Sequence, residues 1–156
     1  ARAVRTGAEI RSIANAMDAY LADVGSYPPA IQDWGNRAWG ADVGLVDRSM
    51  VTGSHLSAWS GPYLKQWPQR TAWGGLGNGA VGAYYIYVGG DHFNRDGISN
   101  NDYWIHMNPW YGIYPPSQLL EIDKAVDDGE LYAGNMFALS GPPHVWYYIG
   151  EGARNW

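Results

Sequence analysis

Apolar residues recur at spacings of three and four over the first 23 positions of the chain, where no proline occurs. This spacing places them on one face of an α-helix. Gly25 can adopt the left-handed conformation that ends a helix, and the prolines at 28 and 29 cannot continue one. The pattern therefore predicts an N-terminal helix with a firm stop. Its apolar stripe consists of Ile10, Ile13, Met17, Tyr20 and Leu21.

Three short runs rich in aromatic and β-branched residues predict β-strands. They are AYYIYV at 83–88, YWIHM at 103–107 and HVWYYIG at 144–150. Glycines bound the first run, and Asn108 with Pro109 ends the second. The first two runs are expected to pair as an antiparallel hairpin around the loop between them.

A second helix is predicted within SQLLEIDKAVDDGE, at 117–130. Ser117 follows two prolines and is a candidate N-cap, and Gly129 is a candidate for the left-handed residue after the helix. Leu119, Ile122 and Val126 fall on one face at spacings of three and four. Asp127 and Asp128 are interpreted as the polar end of this helix.

Residues 30–82 lack a sustained helical or strand period, so we expect a long ordered loop with a helical turn or two between 43 and 59. The order of elements predicts an α+β fold, in which the long helix packs on a small antiparallel sheet. A length of 156 residues predicts one structural domain. It divides into an N-terminal helix at 1–25 and a globular head at 26–156.

The loop GGDHFNRDGISNNDYW, at 89–104, concentrates oxygen-bearing side chains. Calcium prefers six to eight hard oxygen ligands, and a bound dication would offset the repulsion of three nearby carboxylates. The loop does not follow the EF-hand pattern, because no glutamate ends it. The alternative is a hairpin turn that uses Asp, Asn and Gly for their turn conformations. The candidate Ca²⁺ ligands are Asp91, Asn94, Asp96, Ser99, Asn101 and Asp102.

Charge and composition exclude several classes of protein. The net charge is −5 with only 10 Lys and Arg, so nucleic acid is not an expected partner. The absence of cysteine excludes disulfides, thiolate metal sites and cysteine nucleophiles. No apolar run approaches the roughly 18 residues that a membrane-spanning helix needs.

No pattern of catalytic residues stands out, so the chain is expected not to be an enzyme. The four histidines are scattered, and no serine lies in a GxSxG motif. His106 is interpreted as a half-buried sheet residue. The stretch GNGAVG at 77–82 matches GxGxxG formally, but a strand follows it where a dinucleotide site requires a helix.

The tryptophans admit two interpretations. They can fill a core and subunit interfaces, or they can form an exposed platform on which sugars stack. The second interpretation gives the alternative function, a secreted carbohydrate-binding module. The tryptophans concerned are Trp34, Trp39, Trp59, Trp67, Trp73, Trp104, Trp110 and Trp146.

Two motifs, in order along the chain, resemble those of type IV pilin-like proteins, and most closely the major pseudopilin of type II secretion systems. LADVGSYPPA at 21–30 is similar to the family's D-x-G-x-Y-P turn, and GPYLKQWP at 61–68 is similar to its GPYL-x-x-x-P segment. Trp73-Gly74 is similar to the W-G before its tyrosine-rich strand. The resemblance covers residues 1 to about 105.

The resemblance implies a structural subunit of a pilus or pseudopilus, polymerised helically through the N-terminal helix. In the family this helix continues upstream as an apolar segment that anchors the subunit in the inner membrane. The implied location is the periplasmic or extracellular face. The implied partners are identical subunits, other pilin-like subunits and inner-membrane assembly proteins.

The resemblance also places the loop at 89–104 where the family carries its calcium site. Asp91 matches the family's aspartate after the strand, and Asp102 matches the first aspartate of its D-x-D-I. Trp104 stands where the second aspartate is expected. Asn94 and Asp96, in an altered loop, are available to supply the missing oxygens.

Overall fold

The computed structural model describes residues 2–29, 42–51, 53–68, 71–72, 84–88, 102–107, 115–131, 133–138 and 145–151. Over these residues the chain has an α+β fold, as predicted from the sequence. In chain order the elements are helix α1 (Arg2–Val24), a 3₁₀ turn (Arg48–Met50), helix α2 (His55–Ala58), strands β1 (Tyr84–Val88) and β2 (Asp102–Met107), helix α3 (Pro116–Val126), and strands β3 (Met136–Ala138) and β4 (Val145–Glu151).

Helix α1 confirms the prediction made from its apolar stripe. Ile10, Ile13, Met17 and Tyr20 are buried, while the opposite face is exposed. Gly25 has φ +86° and donates its N–H to Leu21 O at 2.8 Å. This left-handed residue closes the last turn of the helix, as its place before the two prolines predicts.

The four strands form one antiparallel sheet in the order β1-β2-β4-β3. β2 is central, with Ile105 opposite Ile86 of β1 on one side and Tyr147 of β4 on the other. β1, β2 and β4 confirm the three predicted strands. β3 was not predicted from the sequence, and among the described strands its three residues pair with β4.

The two faces of the sheet bury different side chains, because successive residues of a strand point in opposite directions. Tyr103, Ile105 and Met107 of β2 join the main core with α1. Helix α3 packs on α1 where Gly7 lies; a Cβ at that glycine would meet Ala125 Cβ and Val126 Cγ1 at 3.4 Å each. Helix α1 is therefore in contact with both the sheet and α3.

The other face of the sheet carries an aromatic layer. The ring of His106 stacks on Trp146 with centroids 4.0 Å apart, and Tyr87 meets Trp146 edge-on at 5.0 Å. Trp104 meets Tyr148 edge-on at 5.1 Å. His106 is only 7% exposed, so it is more deeply buried than the half-buried position expected of it.

The turn after α1 is fixed by Tyr27. Its ring packs against Tyr103 with centroids 4.7 Å apart, and its hydroxyl donates to Asp18 Oδ1 at 3.3 Å. Burial, followed by the charge of Asp18, raises the pKa of the Tyr27 phenol well above its ordinary value. The segment that follows the helix is thereby tied both to α1 and to the sheet.

The GPYL segment lies against the chain around residue 45. Tyr63 N and Leu64 N both donate to Leu45 O, at 2.7 and 3.1 Å, and Trp59 Nε1 donates to Gly44 O at 2.8 Å. The 3₁₀ turn and α2 are the helical turns expected between 43 and 59. The described part of this long loop is therefore ordered by hydrogen bonds to its own backbone.

Both predicted ends of α3 are corrected by the structure. Its N-cap is Pro115, in extended conformation, and Pro116 is the first helical residue, so Ser117 is not the cap. Proline suits that first position because its fixed φ is helical and it needs no N–H partner. The helix ends at Val126 with Asp127 as its C-cap, so Gly129 is one position beyond C′, but its φ of +85° confirms the predicted left-handed conformation.

Candidate functional site

The predicted calcium loop lies almost entirely outside the described residues. Asp91, Asn94, Asp96, Ser99 and Asn101 all fall there, so their part in a metal site stays a prediction. Asp102 is described: it is the first residue of β2, it is buried, and it pairs in register with Glu151 of β4.

A second group of acidic side chains lies at the end of α3, in a segment that we call the acidic turn (residues 123–136, with Tyr132 outside the described residues). Its carboxylates belong to Asp123, Asp127 and Asp128. One oxygen from each lies within 4.8 Å of the others. Asp123 lies in the last turn of α3, and Asp127 is the C-cap residue directly after the helix.

Each of the three carboxylates accepts a hydrogen bond from the backbone of the turn. Gly129 N donates to Asp123 Oδ1 at 2.6 Å, and Glu130 N donates to Asp128 Oδ1 at 2.8 Å.

Asp127 holds the far end of the same turn. Its Oδ2 accepts from Asn135 N at 2.5 Å and from Met136 N at 2.8 Å. Met136 is the first residue of β3, so this carboxylate joins the end of the helix to the start of the strand. The adjacent acids expected to form a polar helix end in fact organise the connection to the sheet.

The electrostatic environment of Asp123 opposes ionisation. Burial is the main cause that raises the pKa of its carboxyl above the ordinary value, and the charges of Asp127 and Asp128 raise it further. The backbone N–H groups of Gly129 and Glu130 act in the opposite direction and lower this pKa. Among the described residues, the ion pairs are Arg5 with Glu9 and Lys124 with Glu121, so neither includes an aspartate of the acidic turn.

Gly134 is the residue that lets the turn close over these carboxylates. Its φ is +77°, and a Cβ there would lie 2.6 Å from Asp128 Oδ2 and even closer to Asp127 Oδ2. A side chain at this position would therefore push the two carboxylates aside.

A buried polar cluster lies between α1, α2 and the turn after α1. His55 Nδ1 is 2.7 Å from the Tyr20 hydroxyl oxygen, and His55 Nε2 is 3.0 Å from Ser26 Oγ. The pairing of serine and histidine resembles a nucleophile with its base. However, Ser26 and His55 are only 5% and 3% exposed, so a substrate has no access to them. We interpret the cluster as a structural clamp.

The described tryptophans do not form an exposed platform. Trp67, Trp104 and Trp146 are buried, and Trp59 is partly buried against the core. Trp104 and Trp146 lie in the aromatic layer of the sheet. Trp34, Trp39, Trp73 and Trp110, the other tryptophans named for sugar stacking, lie outside the described residues.

Sequence reasoning missed the acidic turn as a site and the clamp as a cluster. The D-x-x-x-D-D spacing at 123–128 could have indicated the turn, because it puts one acid in the last turn of the helix and two acids directly after it. The clamp had no comparable pattern, since its members are at positions 20, 26 and 55.

The geometry therefore gives one acidic site at a helix end within an α+β fold. In the described part of the chain, no helix is long and apolar enough to span a membrane. Comparison with known proteins finds no match among protein-family models, curated proteins or solved structures.

Proposed function

We propose that this protein is a structural subunit of a helical filament, of the type IV pilus or type II secretion pseudopilus kind. The observation that carries the proposal is helix α1: its 23 residues pack one face on the sheet and α3 and leave the other face exposed. The resemblance of residues 21–30 and 61–68 to pilin-like motifs supports the same class. Its action is mechanical, with no catalytic step.

The exposed face of α1 suits contact with other subunits. Val4 is 71% exposed, and Ala8, Ala19 and Ala22 are exposed small residues that allow another helix to approach closely. When two different surfaces of identical subunits contact each other, the subunits form either a closed ring or an open filament. They form a filament when the rotation between neighbours does not close the ring. Arg11 and Asp18, also exposed, give the same face charges of both signs.

The remaining parts of the proposal follow the resemblance. The subunit is held at the inner membrane before assembly and faces the periplasm or the exterior. Its partners are identical subunits, other pilin-like subunits and inner-membrane assembly proteins. Calcium bound by the loop at 91–102 stabilises the head domain.

Engineered cysteines test the filament directly, because the natural chain contains none. Val4→Cys and Ala22→Cys place two thiols on the exposed face of α1, separated by about 27 Å at 1.5 Å per residue. The full-length protein carrying both is produced in cells with its assembly system and treated with an oxidant or a short bis-maleimide.

We expect a ladder of covalent multimers from the double variant, and no species beyond dimers from either single variant. The matched control combines Val4→Cys with Ser57→Cys, since Ser57 is exposed but belongs to α2 and not to α1. A double variant that gives only monomers and dimers in assembling cells would refute the proposed role of α1.

A further inference from the structure

We propose that the acidic turn binds a hard divalent cation, calcium in preference to magnesium, through the carboxylates of Asp123, Asp127 and Asp128. Its ligands are residues outside the loop at 91–102, and the site does not depend on the filament proposal. It lies where α3 ends and the chain turns back toward β3.

The distances between the carboxylates fit one ion. Calcium binds oxygen at about 2.3 to 2.6 Å, so two ligands of the same ion lie at most about 5 Å apart. One oxygen from each of the three carboxylates falls within 4.8 Å of the other two. The three groups therefore can coordinate one ion together without any change in the path of the backbone.

The second observation is a buried acceptor without a partner. The Asp123 side chain is fully buried, and its Oδ2 has no hydrogen-bond partner among the described residues. The other oxygen, Oδ1, accepts the Gly129 N–H at 2.6 Å, and the Glu130 N–H also acts on this carboxyl. Leaving a buried carboxylate oxygen unsatisfied is costly, and a cation would satisfy it.

The charges of the three aspartates also favour a bound cation. Asp123 faces the carboxylates of Asp127 and Asp128, whose charges disfavour its ionised form. Lys124, the basic residue of the last turn of α3, pairs with Glu121 at 3.3 Å. A dication between the three carboxylates would replace their mutual repulsion with attraction.

The turn favours calcium over magnesium because its ligands come from an irregular segment. Magnesium demands nearly ideal octahedral geometry at about 2.0 to 2.1 Å and keeps several waters, while calcium accepts varied geometry and more ligands. Asp128 is exposed, so water can complete the coordination sphere from that side.

The test is thermal unfolding of the full chain in chelator, in about 5 mM calcium and in about 5 mM magnesium. For a dissociation constant on the order of 10⁻⁴ M, calcium is expected to raise Tm by about 5 to 9 °C. Asp123→Asn and Asp128→Asn each keep an oxygen to accept the backbone N–H but lose the charge, so both are expected to lose most of this rise. Glu121→Gln is the matched control on the same helix, and it should respond like the natural protein.

In chelator, Asp123→Asn is expected to be at least as stable as the natural protein, because it removes a buried charge among like charges. This separates loss of binding from loss of folding. Asp96→Asn tests the loop at 91–102 in parallel. If both Asp123→Asn and Asp96→Asn reduce the response, one ion is assigned to each place.

Three results would overturn the proposal. The first is a natural protein whose Tm does not change with either cation. The second is a full calcium response in both Asp123→Asn and Asp128→Asn. The third is a response that only Asp96→Asn removes, which would assign the calcium effect to the loop alone.

Discussion

His55 offers the sharpest test of how the described part of the loop region is held to α1. The histidine is 3% exposed and lies on α2, a helix of only four residues. Its two ring nitrogens face the hydroxyls of Tyr20 and Ser26, which belong to α1 and to the turn after it. His55→Ala removes this clamp in a single change, without altering either hydroxyl.

The expected cost follows from the interactions that the imidazole ring makes. Each hydrogen bond contributes about 1 kcal/mol, and the hydroxyls of Tyr20 and Ser26 would both lose their bond to the ring. Removal of a buried ring adds a cavity that costs about 1 to 2 kcal/mol more. His55→Ala should therefore lower the free energy of unfolding by about 3 to 4 kcal/mol, which for a chain of this length is a fall in Tm of about 6 to 16 °C.

Urea unfolding followed by tryptophan fluorescence measures this change, since the chain contains nine tryptophans. Leu56→Ala is the matched control: it is the next residue on α2, and it is 37% exposed. Tyr20→Phe and Ser26→Ala, which each remove one bond, should cost about 1 kcal/mol apiece. If His55→Ala costs no more than Leu56→Ala, the clamp contributes nothing and the reasoning is refuted.

Two further predictions concern the acidic turn in the absence of cations. Gly134→Ala should destabilise the protein by about 1 to 3 kcal/mol more than Gly25→Ala. Both substitutions strain a left-handed φ, but only Gly134→Ala displaces the carboxylates of Asp127 and Asp128. Equal losses of stability in urea unfolding would contradict this prediction. The raised pKa of Asp123 means that its stabilising contribution is complete below the ordinary carboxyl pKa and is lost as pH rises through the folded value. In chelator, the stability advantage of Asp123→Asn over the natural protein should therefore grow from about pH 4 to about pH 7, and a constant difference would show that the carboxyl is not perturbed.

The elements with a long periodic pattern could be predicted from the sequence. The stripe from Ile10 to Tyr20 and the stop at Gly25 defined α1, and three aromatic runs defined β1, β2 and β4. β3 could not be predicted, because a three-residue strand carries no period and, within the described part of the chain, is defined by its pairing with β4. The strand order also could not be predicted from the sequence, because it depends on pairings between residues far apart in the chain.

The ends of α3 show why local rules failed near the site. A serine after two prolines suggested the start, but Pro116 itself occupies the first helical position. A glycine suggested the end, but Asp127 is the C-cap, and the Asp123 carboxylate accepts the N–H of Gly129. A side chain buried by the tertiary fold therefore decided the conformation of the turn. The sequence indicated acids at a helix end, but it could not show that they converge.

The strand order determines when the sheet can form during synthesis of the chain. β4 lies between β2 and β3, although both precede it in the chain. Until the ribosome has released β4, β3 lacks the strand with which it pairs among the described residues, and β2 lacks one of the two described strands that flank it. The nascent chain can form helices early, because their contacts are local, but the sheet must wait for its last strand. A chain interrupted within β4 would thus be left with unpaired strand edges, the form most exposed to aggregation.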